Sequence, residues 1–252
     1  MGGLTMPKFS IITVCRNAER DIGRTINSVL GQDFPDYEYI IIDGASTDNT
    51  IFIVKQYGKK ITKFISEPDT GIYQAMNKGI KWAAGDLLLH ECILGIMAKQ
   101  IEQNSAEILY GDIVKVDLTK GDTLYFSSTK YLHKFYLYQK IIFHQTAFIK
   151  KQAFKKVGLY DESFSLAGDH EWFLRALTKY KCGYFYYDYC AVLFSAGGIS
   201  SGGLKNEKLQ QEIRLIKNKY YTWLERLFCS CDLFYAVWAF LYKIWWKYNA
   251  KN

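Results

Sequence analysis

Residues 37–49, YEYIIIDGASTDN, join a run of aromatic and β-branched side chains to a polar turn that opens on Asp43. A strand with three consecutive isoleucines has no polar face to offer water. It is buried on both sides, as strands of a helix-covered parallel sheet are. Upstream, residues 9–14, FSIITV, read the same way, and residues 17–30 then place Ile22, Ile26, Val29 and Leu30 at helical spacing. Downstream, residues 50–57 read as a helix, 63–66 as a short strand and 87–89 as a fourth strand. Between the last two, residues 71–84 form a helix with Ile72, Met76, Ile80 and Ala83 on one stripe. Strands alternating with helices imply a parallel sheet covered on both faces, with ligands beyond the carboxyl ends of its strands.

A chain of 252 residues suffices for one large α/β domain, or for a domain of about 200 residues with an appendage. Only three prolines interrupt a sequence that is 49% hydrophobic, which argues against long disordered linkers. There is no internal repeat. The six cysteines lack CxxC spacing and no secretory leader is read before Met6, so reduced thiols and a cytoplasmic protein are expected. Cys229 and Cys231 have the spacing of a metal pair, but with no matching pair nearby they read as small apolar side chains. The net charge is +7, and residues 201–252 hold nine Lys/Arg against four Asp/Glu. Without any nucleic-acid-binding pattern, this asymmetry points to a phospholipid surface and not to nucleic acid.

Beyond residue 105 the rhythm shifts to α+β. Strands are expected at residues 107–110, 123–126, 145–149 and 183–187, with helices at 151–157 and 170–180. The expected organisation is therefore residues 7–105, residues 106–204 and a basic, aromatic helical extension at 205–252. Polar residues gather after the first three strands: Thr13, Arg16 and Asn17; Asp43, Gly44, Ser46 and Asp48; Glu67, Asp69 and Gly71. An aspartate at a buried strand tip accepts hydrogen bonds from a base or ribose. The same turn also reads as a solvated loop with an Asx cap. No GxGxxG follows the first strand, which argues against a dinucleotide-dependent oxidoreductase. Asp169 and Glu171 stand in the first turn of an amphipathic helix, a position that suits an N-terminal carboxylate and equally a general base in a cleft. His144 reads as a buried, satisfied histidine or as a ligand-side group.

Four segments in order carry a resemblance: FSIITVCRN, YIIIDGASTDNT, SEPDTGIYQAMNKGIKWAAGD and HQTAFIKKQAFKKVGLYDESFSLAGDHEWFLR. Across residues 7–200 the chain resembles glycosyltransferase family 2, inverting enzymes that use nucleotide-sugars. The resemblance implies a GT-A (Rossmann-like) fold: a mainly parallel central sheet flanked by helices, with an α+β acceptor-side half. It implies a nucleotide-sugar donor, with UDP the expected nucleotide, and a glycan or lipid-linked acceptor of polysaccharide biosynthesis. Thr13, Val14 and Asp43 map onto the uracil and ribose contacts. Asp69, Gly71, Tyr73, Asn77 and Lys78 map onto the donor pocket, with Arg16, Asn17 and Gly44 beside them. Either Arg16 or Lys78 offsets diphosphate charge or is only solvated. The family's base is the second residue of a Glu-Asp pair, which here reads Gly168-Asp169. His144 and Glu171 fall on the acceptor side.

The resemblance also implies Mg²⁺ or Mn²⁺ on a DxD-like acid after the fourth strand, yet His90, Glu91 and Cys92 stand there. Asp86 precedes that strand, which leaves Glu91 as a weak candidate metal ligand. Three explanations stay open: a deletion, a loop missing from this chain, or a metal-independent or inactive variant. The last would be a nucleotide-sugar-binding pseudoenzyme. At the far end, residues 233–242, LFYAVWAFLY, are too short to span a bilayer. As a helix, this segment and its continuation put Trp238, Leu241, Tyr242 and Trp245 opposite Lys243, Lys247 and Lys251. An amphipathic helix of that kind lies at the inner membrane face, or packs on the domain or on a second copy in a homodimer.

Overall fold

A computed structural model describes residues 7–88, 94–116, 123–126, 128–195 and 206–231, together with 237, 240 and 241. The first half alternates as expected: β1 (Phe9–Cys15), α1 (Ile22–Leu30), β2 (Tyr37–Asp43), α2 (Thr50–Gln56), β3 (Lys63–Ser66), α3 (Ile72–Trp82) and β4 (Asp86–Leu88). Then follow α4 (Leu94–Gln103), β5 (Ile108–Val116), β6 (Thr123–Phe126), α5 (Lys134–Gln139), β7 (Phe148–Ile149), α6 (Lys151–Val157) and α7 (Gly168–Leu174). The described elements end with β8 (Tyr184–Ser195), α8 (Glu207–Tyr220) and α9 (Trp223–Ser230).

One sheet runs in the order β3-β2-β1-β4-β7-β5-β6, with β8 paired to β5. The strands β3, β2, β1 and β4 are parallel to one another, and β7 is antiparallel to both of its neighbours. The buried run in β2 explains the layering. Tyr39 and Ile41 face one apolar cluster with Phe9, Ile11, Ile22 and Ile26, while Ile40 and Ile42 face another with Ile12, Met76 and Trp172. Successive side chains alternate between faces, so a strand apolar at every position needs helices on both sides.

Close approach of α3 to β1 depends on Gly79, where an added Cβ would lie 2.5 Å from Ile12 Cγ2. Gly79→Ala is expected to destabilise the protein by about 1–2 kcal/mol, because overpacking costs about 1–3 kcal/mol and helix propensity returns up to about 1 kcal/mol. Urea unfolding checks this; an unchanged midpoint would show that Ile12 shifts freely.

Several boundaries differ from expectation for local reasons. The first helix starts at Ile22 because Asn17 takes a left-handed φ of 50°. Residues 144–146 form a 3₁₀ turn, so the strand expected at 145–149 shrinks to Phe148–Ile149. The helix expected at 170–180 divides into α7 and a π turn, Arg175–Lys179. Asp86 is the first residue of β4, and its Oδ1 accepts the Lys151 backbone N–H at 3.0 Å, capping the start of α6. The segment 89–93 and most of residues 232–252 lie outside the described residues, with the Glu91 assignment and most of the expected terminal helix. Among the described residues no helix is long and apolar enough to cross a membrane.

Candidate active site

At the carboxyl end of β2, Asp43 is fully buried. Its Oδ2 accepts from Ser46 N–H at 2.9 Å and from Ser66 Oγ at 2.7 Å, and its Oδ1 accepts from Ser46 Oγ and from Cys15 Sγ at 3.7 Å. Burial, and then the Asp43 carboxylate, push the Cys15 thiol up to about 12, so that Cys15 remains a donor. Each carboxylate oxygen thus meets two donors of the chain, and Asp43 acts directly on loop shape. The loop it shapes is strained. Ala45 holds φ 55°, a left-handed conformation that costs a non-glycine residue about 1–2 kcal/mol. Asn17 bridges to it, its Oδ1 accepting Thr47 N–H at 2.9 Å and its N–H donating to Ser46 Oγ at 2.8 Å.

Gly44 lets the next loop close over this turn: a Cβ there would sit 2.5 Å from Asp69 Oδ2 and 3.4 Å from Arg16 Cδ. Asp69 Oδ1 accepts the Gly71 N–H at 3.1 Å. Arg16, Gly44, Asp69 and Gly71 are therefore neighbours at the strand ends, with Arg16 exposed. Other residues expected in the donor pocket hold the frame. Thr13 Oγ1 lies 3.0 Å from the Tyr39 hydroxyl, and Val14 packs against the core. Lys78 bridges Glu67 and the Pro68 carbonyl, both at 2.9 Å. Asn77, 1% exposed, donates to Tyr160 O and Glu162 Oε1 and accepts from Tyr160 N–H, pinning α3 to that loop.

Asp169 stands at the start of α7 with its side chain 13% exposed. The Tyr73 hydroxyl donates to its Oδ1 at 2.9 Å, and His144 Nδ1 lies 2.8 Å from its Oδ2. Burial alone would raise the Asp169 carboxyl, but the His144 imidazole and the hydrogen bonds from His144 and Tyr73 outweigh it and hold the pKa below 3.8. Asp169 is thus ionised at neutral pH. Gly168, where the family resemblance leads one to expect glutamate, has a packing reason. A Cβ there would meet the Tyr73 ring at 2.8 Å, so the glycine admits the ring that delivers the hydroxyl to Asp169.

The aromatic wealth of the sequence fixes α7 behind this carboxylate. Trp172, fully buried, lies 4.6 Å from Phe154, 5.5 Å from Phe173 and 5.9 Å from Tyr160 between ring centroids, and its Nε1 donates to Gly158 O at 2.7 Å. Tyr160 in turn stacks 5.6 Å from Tyr73. Sequence reasoning missed Tyr160, whose spacing gives no hint of that role. Glu171, expected on the acceptor side, is fully buried. It receives Arg175 Nη2 and Lys219 Nζ, both at 3.1 Å, and the Tyr220 hydroxyl, which ties α7 to α8.

Next to Asp169, His170 is buried, and its Nδ1 has no hydrogen-bond partner among the described residues. Burial pushes its pKa down from 6.5 to about 4. The unfolded chain therefore binds a proton that the folded chain refuses between those values. Full stability is present above pH 6.5 and is lost as pH falls toward 4, by about 3 kcal/mol for this group. His133, lowered to about 4 by burial, adds a loss of the same sign. His170→Asn is expected to flatten the pH dependence of the urea midpoint across that window; an unchanged slope would remove His170 as its source.

Among the described residues no group of three or more His, Cys, Asp or Glu side chains is arranged to hold a metal ion. Those residues do not make a site for the expected Mg²⁺ or Mn²⁺.

A parallel sheet with polar groups beyond its strand ends, joined to a half of mixed pairing that carries a nearly buried carboxylate, is the GT-A architecture. The sequence profile described as glycosyl transferase family 2 matches residues 10–158, and the chain belongs to that family. An uncharacterized glycosyltransferase of Mycobacterium tuberculosis is 34% identical over 185 residues, covering 68% of this chain and 69% of that one. Among solved structures, residues 1–349 of Staphylococcus aureus TarS in complex with UDP-GlcNAc align with a TM-score of 0.67 at 20% identity, covering 84% of this chain and 66% of that one. The chain covers 39% of the longer TarS chain. The mannosyltransferase PcManGT of Pyrobaculum calidifontis, in complex with GDP-Man and Mn²⁺, aligns with a TM-score of 0.60 at 16% identity, covering 86% of this chain and 64% of that one.

Proposed function

We propose that the protein transfers a sugar from a nucleotide diphosphate-sugar, a UDP-sugar, to a hydroxyl of a glycan or lipid-linked acceptor with inversion. The observation that carries this reading is Asp169, an ionised carboxylate held from two sides by Tyr73 and His144 and exposed along one edge. In the reaction Asp169 accepts the proton of the acceptor hydroxyl while that oxygen bonds to the anomeric carbon. The bond to the diphosphate breaks on the opposite face, so one displacement inverts the centre. Tyr73 and His144 fix the carboxylate's direction. Arg16 and the exposed edge of the Asn17 turn stand on the donor side, at the strand ends. The UDP-GlcNAc complex of TarS supports UDP as the nucleotide.

A second reading, a nucleotide-sugar binder without turnover, is favoured by the sequence after β4, where His90, Glu91 and Cys92 stand in place of the DxD-like acid. Titration of UDP-sugars with and without Mn²⁺, combined with NMR of the product anomer, separates the two. Binding with release of UDP and an inverted product supports transfer. Binding with no UDP release under either condition supports the second reading, and a retained anomer overturns the single displacement.

The apolar face of α9, with Trp223, Leu224, Leu227 and Phe228 exposed beside a basic α8, suits docking at the inner face of a membrane. Co-sedimentation with anionic vesicles after truncation at residue 221 tests it. Undiminished binding would reject the surface, and analytical ultracentrifugation of the same pair reads out a homodimer.

A further inference from the structure

A cavity of about 410 Å³ opens between α5, the π turn after α7, β8 and α8, and no step proposed above uses it. Leu177, Thr178 and Lys179 on its wall lie in the π turn that follows α7, and Lys181 lies beyond that turn, whereas Asp169 stands in the first turn of α7; Tyr220, also on the wall, donates its hydroxyl to Glu171. Leu137 and Leu177 contribute apolar wall and Tyr184 an aromatic one, and the lining lysines are Lys134, Lys179 and Lys181, the Lys179 ammonium lying 5.5 Å from the centre of the Tyr180 ring. Lys134 is neutralised by Glu225 at 2.7 Å. Lys179 and Lys181 have no carboxylate partner among the described residues, and both are exposed.

Lys181 also holds φ 52°, a left-handed conformation that glycine or asparagine adopts more readily. The adjacent helix end opposes an anion, because its last carbonyls carry about half a negative charge. Two carbonyls of that last turn are already engaged: Arg175 O by Tyr180 N–H at 3.2 Å and Ala176 O by Cys182 N–H at 3.0 Å. Two uncompensated ammonium groups outweigh the remaining partial charge, so the cavity is electropositive. Its apolar and aromatic walls exclude water from one side of a bound anion, which strengthens the ionic contacts.

We propose that this cavity, at the far end of α7 and its π turn from Asp169, is a phosphate-binding site for a phosphate ester or a phospholipid headgroup. Phosphate suits it because lysines serve as point charges for phosphate oxygens, and the volume leaves room for an organic group on the leucine wall.

The test uses the full chain with UDP in excess, inorganic pyrophosphate as the soluble probe and phosphatidylglycerol-containing vesicles as the lipid probe. Pyrophosphate is expected to bind saturably and to protect Lys179 and Lys181 from acetylation, read by mass spectrometry. Lys179→Gln with Lys181→Gln is expected to weaken it about tenfold. Lys59→Gln with Lys60→Gln, an equal charge change on exposed residues of another segment, is expected to leave it unchanged. A parallel loss of vesicle binding in the first variant identifies a headgroup as the source; unchanged vesicle binding identifies a soluble phosphate ester. The proposal is overturned if pyrophosphate neither saturates nor protects these lysines, or if both double variants weaken it equally.

Discussion

Asp169→Asn is expected to lower the rate of sugar transfer by about 10²–10⁴-fold, the usual contribution of a positioned general base. UDP-sugar affinity is expected to stay within about twofold, because the side chain volume and the hydrogen bond from Tyr73 both survive. The amide oxygen still accepts from the Tyr73 hydroxyl at the Oδ1 position, while the partner of His144 loses its charge. What disappears is the ability to take a proton. The pH profile provides a second check: the carboxyl is held below 3.8, so wild-type activity should persist to mildly acidic pH before the base is lost. Transfer by the variant at the wild-type rate would remove Asp169 from this role.

The largest loss of stability is expected from Glu171→Ala, about 3–5 kcal/mol, since removing one member of a buried charge cluster strands the others. Arg175 stays anchored through Val157 O and Leu159 O, both at 2.8 Å, so its charge remains buried without its carboxylate. Lys219 is half-exposed and has a second carboxylate, Asp161, at 3.6 Å, which places the expected value near the lower end. Glu171→Gln keeps acceptor capacity for Arg175 and Tyr220 and should cost less. Guanidinium unfolding of the three proteins measures the series. A loss below about 1 kcal/mol for the alanine variant would mean that α8 does not depend on this cluster for its docking.

The first half of the fold was readable because β1 and β2 each carry a run of apolar, β-branched side chains, and stripes at helical spacing follow in α1 and α3. Residues 63–66 and 151–157 fall where composition leads one to expect them. Helix α4 went unread, since Leu94, Met97 and Ala98 follow no cap or turn signal in the sequence. Nor does any local pattern foretell a two-residue strand such as β7, whose existence depends on partners at residues 87–88 and 108–109. At the strand ends and in α7, residue identity singles out Asp43, Gly44, Asp69, Asn77, Lys78 and Asp169 as candidates but not what each side chain touches. The hydrogen bonds of Asp43, Asn77 and Lys78 to the rest of the chain are tertiary contacts, and periodicity carries no record of them.

Strand β7 joins the two halves of the sheet through pairings of Leu87 and Leu88 with Ile149 and Phe148, and of these with Ile108 and Leu109. Asp69 belongs to one half, and Asp169 to the other. Their separation is therefore set less by backbone pairing than by side-chain contacts across the seam, such as those of Tyr73 with Asp169 and of Asn77 with Tyr160. In the proposed reaction, exchanging a few residues along that seam alters the reach between sugar and base without rebuilding either half.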